Sequence, residues 1–345
     1  MPERKNAINA FLADNGWQPE HRSVLADDAS FRRYERLVDG NRVAVFMDAP
    51  PPQEDTRLFI RIAEHLLSLG LSTPEIYAQN TEQGFLLLED FGDDTYTRVL
   101  DQSPAQEQAL YELAVDTLIH LHKCPVEQQI PKDWPTYDLK MLLGEVRIFT
   151  DWYLPHVSSE LLAPDALIAY ETIWEELFDY VQSQSKCLVL RDFHVDNMIF
   201  LDEKSGIKAC GLLDFQDALV GAQAYDLMSL LEDARRDMDD DLIDTLKARY
   251  YAAFDDLAEP GAARHAFDAI YAILGAGRHT KVIGIFVRLL VRDGKPNYLI
   301  HIPRVWRLLE RSLRHPMMAS VRDWFDAFVP LPLRDVPLTN DHEDA

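Results

Sequence analysis

Apolar positions fall into short runs early in the chain and into helical stripes later. Residues 30–38 and 42–47 flank Asp39-Gly40, a strong two-residue turn signal, so they predict a β-hairpin. Pro50, Pro51 and Pro52 then end the second strand. Over 56–69, Leu58, Ile62, Leu66 and Leu69 mark one helical stripe. Residues 85–88 form a short apolar run of the kind a buried strand has, and it stops at Glu89-Asp90-Phe91-Gly92. Beyond that point the period is mostly helical. Ser103-Pro104-Ala105-Gln106 reads as an N-cap, a proline at the first helical position and a capping-box Gln. The helix it opens carries Leu110, Leu113, Ala114, Leu118 and Leu121 inward, and a second helix is expected over 165–182. Three β-like runs follow at 187–190, 198–201 and 207–213, the last two separated by the polar turn 202–206, and helices resume near 223. No internal repeat is visible. The pattern predicts an α+β fold with a small β-rich lobe over 1–90, a hinge near 89–92, and a larger, mostly helical lobe over 91–330. Residues 331–345 read as a polar, acidic tail that frays.

The length of 345 residues suits two lobes. Apolar residues at 47% and charged residues at 27% are an ordinary globular balance, which excludes a disordered or collagen-like chain. Charge changes the picture more. Against 34 Lys and Arg stand 58 Asp and Glu, a net charge of -24. Such a chain repels nucleic-acid phosphates and anionic lipid, so neither nucleic acid nor membrane is an expected partner. Cys124, Cys187 and Cys210 are widely spaced with no CxxC, which gives no disulfide framework and no zinc site. Residues 1–20 hold no apolar signal-like core, and no purely apolar run reaches about 18 residues. A cytoplasmic protein, a monomer or weak dimer, is expected.

Candidate chemistry concentrates between Leu188 and Asp226. Asp192 follows the first β-like run and Asn197 lies five residues on. Asp214 ends the third run, with Asp217 three residues later. Phosphoryl transfer needs a carboxylate to orient and deprotonate the attacking hydroxyl, and hard oxygen ligands for the Mg²⁺ that bridges nucleotide phosphates. Asp192 fits the base, Asn197 and Asp214 fit the metal ligands, and Arg191 is placed to balance the carboxylates.

Arg191-Asp192, Asn197 and Asp214-Phe215 resemble the catalytic and metal-binding loops of protein kinases. Together with Leu213, Gly221 and Asp226-Leu227 they resemble more nearly the aminoglycoside phosphotransferase and choline kinase-like superfamily, whose pattern is H-G-D-x-x-x-x-N, then I-D, then a Gly and a late Asp-Leu. The segments D-A-S-F-R-R-Y, L-L-L-E-D-F-G-D, W-Y-L-P, R-D-F-H and R-D-G-K-P are similar to one branch, the anomeric N-acetylmuramate/N-acetylglucosamine kinases of cell-wall recycling. The resemblance spans roughly residues 24–316 and implies a bilobal protein-kinase-like fold. It also implies ATP and Mg²⁺ as cofactors and a small sugar whose C1 hydroxyl receives the γ-phosphate. Adenine is then expected on the hinge backbone at Glu89 and Phe91. Three departures stand out. Leu190 occupies the place of the superfamily's His. No G-x-G-x-x-G loop precedes the hairpin. The strand that would carry a phosphate-binding Lys reads Val43-Ala44-Val45-Phe46-Met47. Ser30, Arg32 and Arg33 are therefore the expected phosphate contacts, since an Arg fork grips phosphate oxygens, and Glu64 has no strand Lys to pair with.

Residues 278–292 carry Arg278, Lys281, Arg288 and Arg292 and no acid, at spacings that share one helical face. They read either as a solvated basic stripe or as an anion site, with Lys281 and Arg288 facing a sugar carboxylate. Trp134, Trp152 and Tyr153 read as helix packing or as an aromatic cage for a choline-type substrate. Asp217 and His194 are assigned to the substrate side, and Asp226 to bracing the catalytic loop. His120 and His122 are two apart on a helix, wrong for a shared metal. An aminoglycoside- or choline-type kinase remains the alternative enzyme. A kinase-like binding module, suggested by Leu190 and Met47, is the alternative of another class.

Overall fold

A computed structural model describes residues 2–27, 31–158 and 162–334. The chain groups into two compact units, one of residues 1–124 and 195–218, the other of 125–194 and 219–345.

The first unit is built on an antiparallel sheet of β1 (Arg22–Asp27), β2 (Arg33–Asp39), β3 (Arg42–Asp48), β4 (Ile76–Asn80) and β5 (Phe85–Leu88), in the order β1-β2-β3-β5-β4. The expected hairpin is β2–β3, closed by the Asp39↔Arg42 pair with Gly40 at φ 63°. Alternation sorts its side chains: Leu37, Ala44, Phe46, Phe85 and Leu87 share one core with Phe11, Leu12 and Trp17. Phe11 and Leu12 belong to a helix, Pro2–Asp14, that the apolar pattern does not announce, because they are nearly its only large apolar residues. The Thr56–Ser68 helix starts at Asp55, whose carboxylate accepts the Arg57 N–H at 3.0 Å. It buries Phe59, Ile62, Ala63 and Leu66, while Leu58 is 43% exposed. Ile62 and Leu66 of the predicted stripe are thus buried, whereas at its front Phe59 and not Leu58 faces the core, since positions four apart drift around a helix of 3.6 residues per turn. The helix over Glu107–Lys123 buries Leu110, Ala114, Leu118 and Leu121 as expected. Its expected capping box is absent, because Pro104–Gln106 form a separate 3₁₀ turn and Ser103 makes no side-chain cap bond.

The segment with the candidate chemistry supplies four short strands, β6 (Lys186–Val189), β7 (Met198–Phe200), β8 (Cys210–Leu212) and β9 (Leu219–Ala222). β7 pairs β8 within the first unit, and β6 pairs β9 within the second. The front of the expected third run is a 3₁₀ turn, Gly206–Ala209, and only its end is strand.

The rest of the second unit is helical, and its axis is the 32-residue helix Ala262–Asp293. Among the described residues this is the one helix long and apolar enough to cross a membrane, and 78% of its apolar window is buried inside the protein. It packs backbone to backbone at Gly284, where an added Cβ would lie 2.5 Å from the Ile148 carbonyl oxygen. There the Leu139–Ile148 helix runs into a π-helical turn, Phe149–Tyr153. Phe149 stacks on Tyr153, both pack against Trp306, and Phe149 also packs against Phe325. Trp306 donates to the Tyr153 hydroxyl at 3.1 Å, and that hydroxyl donates to the Leu333 carbonyl. Tyr153 is thus core, Trp134 is 6% exposed and Trp152 is half-buried, so packing accounts for Tyr153 and Trp134. Residues 331–334, expected to fray, form a helical turn held by Arg334 to Asp326 at 2.7 Å. The remainder of the tail lies outside the described residues.

Candidate active site

The loop after β6 depends on one carboxylate. Asp226 is fully buried; Oδ2 accepts the Leu190 N–H at 2.7 Å and Oδ1 accepts the Arg191 N–H at 2.9 Å. Burial pushes its carboxyl up to about 7, against the pull of those two N–H groups. The brace fixes an unusual backbone: Arg191 has φ 75°, a left-handed conformation that a residue with a Cβ adopts at a cost of about 1–2 kcal/mol. The Arg191 guanidinium lies over the Tyr137 ring and pairs with Glu145. Glu145 also takes Lys281 Nζ at 2.8 Å and the Tyr137 hydroxyl. Three donors on one carboxylate hold it below its ordinary value although burial opposes the charge. No sequence signal singled out Glu145, which sits among apolar residues of an ordinary amphipathic helix.

Asp192 itself opens onto a cavity of about 240 Å³ in the second unit, shared with His194, Ser229, Asp233, Arg278 and Lys281. Its side chain is 35% exposed, and Oδ1 stands 3.5 Å from Arg278 Nη2. Desolvation resists the negative charge, but Arg278 first, then Lys281, His194 and Arg191, outweigh it and hold the carboxyl below its ordinary value. Arg278 is fixed in turn, donating to the Tyr225 hydroxyl at 3.0 Å and to the Arg191 carbonyl at 3.3 Å. Burial lowers the His194 imidazole, which favours its neutral form. The basic stripe divides: Arg278 and Lys281 line this cavity, Arg288 does not, and Arg292 is exposed and paired with Asp293 at 2.7 Å.

The first unit holds a second cavity of about 350 Å³. Val45, Leu88, Ile199 and Leu213 give it apolar walls, residues 89–92 form one edge, and Asn197 and Asp214 lie at another. Met47 shares the Val45 side of β3 and is 1% exposed, so a thioether fills the place of the expected lysine. A cation comes instead from the chain entering β2. Arg32 is 9% exposed, with Nη2 3.4 Å from Asp214 Oδ1 and Nε 3.9 Å from Glu54. Arg33 is exposed, and Ser30 lies outside the described residues. Asp214 has φ 54°, a second non-glycine residue in the left-handed region. Gln216 donates to its Oδ1 at 2.6 Å, and Asn197 Nδ2 stands 3.4 Å from its Oδ2. Turning the Asn197 amide over would place a carboxamide oxygen beside a carboxylate, a hard-oxygen set that suits Mg²⁺. Among the described residues no group of three His, Cys, Asp or Glu forms a metal cluster, and all three cysteines are free thiols.

The 89–92 edge is tied down by residues that sequence reasoning missed. Arg36 on β2 donates to Asp90 at 2.6 Å and to Asp93 at 2.9 Å. Phe91 packs flat against Gly211, where a Cβ would lie 2.9 Å from the ring, and Lys204 sits over Phe91 and 3.7 Å from Glu89. Asp217 is exposed and lines neither cavity, and Glu64 is exposed on its helix. His120 is held to the Leu69 carbonyl at 2.7 Å, a structural bond.

Residues 21–264 match the model of the phosphotransferase enzyme family. The chain belongs to that family. An N-acetylmuramate/N-acetylglucosamine kinase of Caulobacter vibrioides is 35% identical over 96% of this chain and 98% of its own. A protein of the same name from Pseudomonas aeruginosa is 38% identical over 90% of each. Among solved structures, an ADP-bound aminoglycoside phosphotransferase matches with a TM-score of 0.56 at 17% identity, covering 92% of this chain and 98% of that one. A choline kinase of Streptococcus pneumoniae matches with a TM-score of 0.59 at 12% identity, covering 90% and 99%. These two share the fold. Two positions just before Asp192 differ from the superfamily pattern in this chain. Where the superfamily pattern has Gly before the catalytic Asp, Arg191 holds the positive φ. Where it has His, a buried Leu190 leaves its backbone N–H to Asp226.

Proposed function

We propose that the protein is an Mg²⁺-ATP-dependent kinase acting in the cytoplasm, and that it moves the γ-phosphate to C1 of N-acetylmuramate or N-acetylglucosamine. The observation that carries this reading is Asp192, a carboxylate kept ionised by Arg278 at 3.5 Å inside a cavity of about 240 Å³. A sugar hydroxyl bonded to Asp192 is oriented for attack and has an acceptor for its proton. A strongly paired carboxylate is a poor base, yet phosphoryl transfer asks chiefly for orientation because its transition state is loose. Glu145, by holding both Arg191 and Lys281, fixes the loop that presents Asp192.

We assign the cavity of about 350 Å³ to the nucleotide, with residues 1–90 as the nucleotide lobe, 89–92 as the hinge and 91–330 as the catalytic lobe. Val45, Leu88, Ile199 and Leu213 would sandwich adenine, and the backbone of Glu89–Phe91 would bond its edge. Arg32 takes the phosphate role of the absent lysine. Asn197 and Asp214 would hold Mg²⁺, which when bound supplies positive charge between the phosphates. The names of the relatives, at 33–38% identity over most of the chain, support the amino-sugar acceptor.

ADP release with Mg²⁺-ATP tests the reading against a panel of N-acetylmuramate, N-acetylglucosamine, an aminoglycoside and choline. Turnover is expected with the two N-acetyl sugars. Turnover confined to the aminoglycoside or choline, or absent throughout, overturns the acceptor assignment.

A further inference from the structure

One group in the Asp192 cavity has no part in phosphate transfer. Asp233 lines that cavity and is 7% exposed. Its Oδ1 accepts the Arg235 backbone N–H at 2.8 Å, while Oδ2 is buried with no hydrogen-bond partner. A desolvated carboxylate oxygen of this kind calls for a donor from elsewhere. The neighbouring Glu232 lines the same cavity; its Oε2 also lacks a hydrogen-bond partner and stands 3.4 Å from His279 Nε2. Burial pushes that acid up to about 7 and the imidazole down to about 3, so the imidazole is neutral at neutral pH and the acid holds its proton far more readily than an ordinary Glu. Val282, Ile285 and Phe286 give the cavity an apolar wall. Beside Glu232, the cavity thus offers the unpartnered carboxylate oxygen of Asp233, one apolar surface and the Asp192 carboxylate.

We propose that Asp233 is a specificity-determining residue of the acceptor site, its Oδ2 receiving the acetamido N–H of an N-acetyl amino sugar while the acetyl methyl rests on Val282, Ile285 and Phe286. This rests on the sugar-kinase reading above. It adds what would set an acetylated amine apart: the amide N–H completes an oxygen that a 2-deoxy sugar would leave unpaired, and the acetyl methyl covers the apolar wall that a free amine would leave bare.

Asp233→Asn is the discriminating variant. The one amide oxygen keeps the Arg235 bond, and an NH₂ replaces Oδ2, so a donor then faces a donor with no change of shape. The Michaelis constant for N-acetylglucosamine is expected to rise about tenfold or more, as for loss of a charge-assisted bond. The Michaelis constant for ATP and the melting temperature are expected to stay at wild-type values. A sugar constant within threefold of wild type overturns the assignment. So does an equal rise for ATP or a lowered melting temperature, either of which marks a structural role. Absence of sugar turnover in the wild-type protein refutes the kinase reading itself, a different result from a wild type that turns over and a variant that behaves like it.

Discussion

At the residue scale, the central pair is Asp192 and Arg278. In the proposed mechanism Asp192 accepts a proton and must be ionised to do so, so activity is expected to fall as pH drops through its pKa. In the wild-type protein Arg278, the leading favourable charge, holds that pKa below its ordinary value. Removing the cation leaves desolvation opposed only by Lys281, His194 and Arg191 and raises the pKa. For Arg278→Met, the acid limb of the kcat/KM profile is therefore expected to move to higher pH, and for Arg278→Lys to move less. An acid limb that stays in place in Arg278→Met would show that Arg278 does not set the charge of Asp192. Asp192, Asn197, Asp214 and Asp226 were legible in the sequence as candidates, through the order and spacing that phosphoryl transfer asks for. Glu145, Arg36 and Asp233 were not. Each looks locally like a solvated charge, and only the folded chain shows that Glu145 holds three donors, that Arg36 clamps Asp90 and Asp93, and that Asp233 keeps one oxygen unpaired.

At the element scale, periodicity recovered what has strong periodicity. The β2–β3 hairpin, the helix over Glu107–Lys123 and the helix over Pro164–Gln182 stand where the pattern put them. Pro2–Asp14 and β4 escaped, the first because two residues suffice to dock it and the second because IYAQN has half-exposed positions on both sides. The basic run 278–292 was read as one face, whereas its helix turns Arg278 and Lys281 into the Asp192 cavity and leaves Arg292 outside. What sets the position of that helix is contact at Gly284 against the π-helical turn. Gly284→Ala places a methyl 2.5 Å from one backbone oxygen and 2.7 Å from the Phe149 nitrogen, neither of which can rotate away. A loss of about 1–3 kcal/mol in denaturant unfolding is expected, as for overpacking elsewhere. Ala at this position with wild-type stability would mean the helix is free to shift.

At the scale of the whole molecule, the net charge of -24 sets the conditions under which a nucleotide can approach. Asp192, Asp214 and Asp233 add negative charge at the cavities themselves, and Arg32, Arg278 and Lys281 are the cations placed beside them. An acidic protein that binds a polyanion does so through such local cations and a divalent metal. The most direct measurement is phosphorus NMR of the product, with rates, for the wild-type protein and Asp192→Asn given Mg²⁺-ATP and N-acetylmuramate. A sugar 1-phosphate is expected from the wild type, with kcat lowered about 100-fold or more in the variant and little change in either Michaelis constant. Phosphate on another hydroxyl, or a variant that turns over like the wild type, would contradict the account.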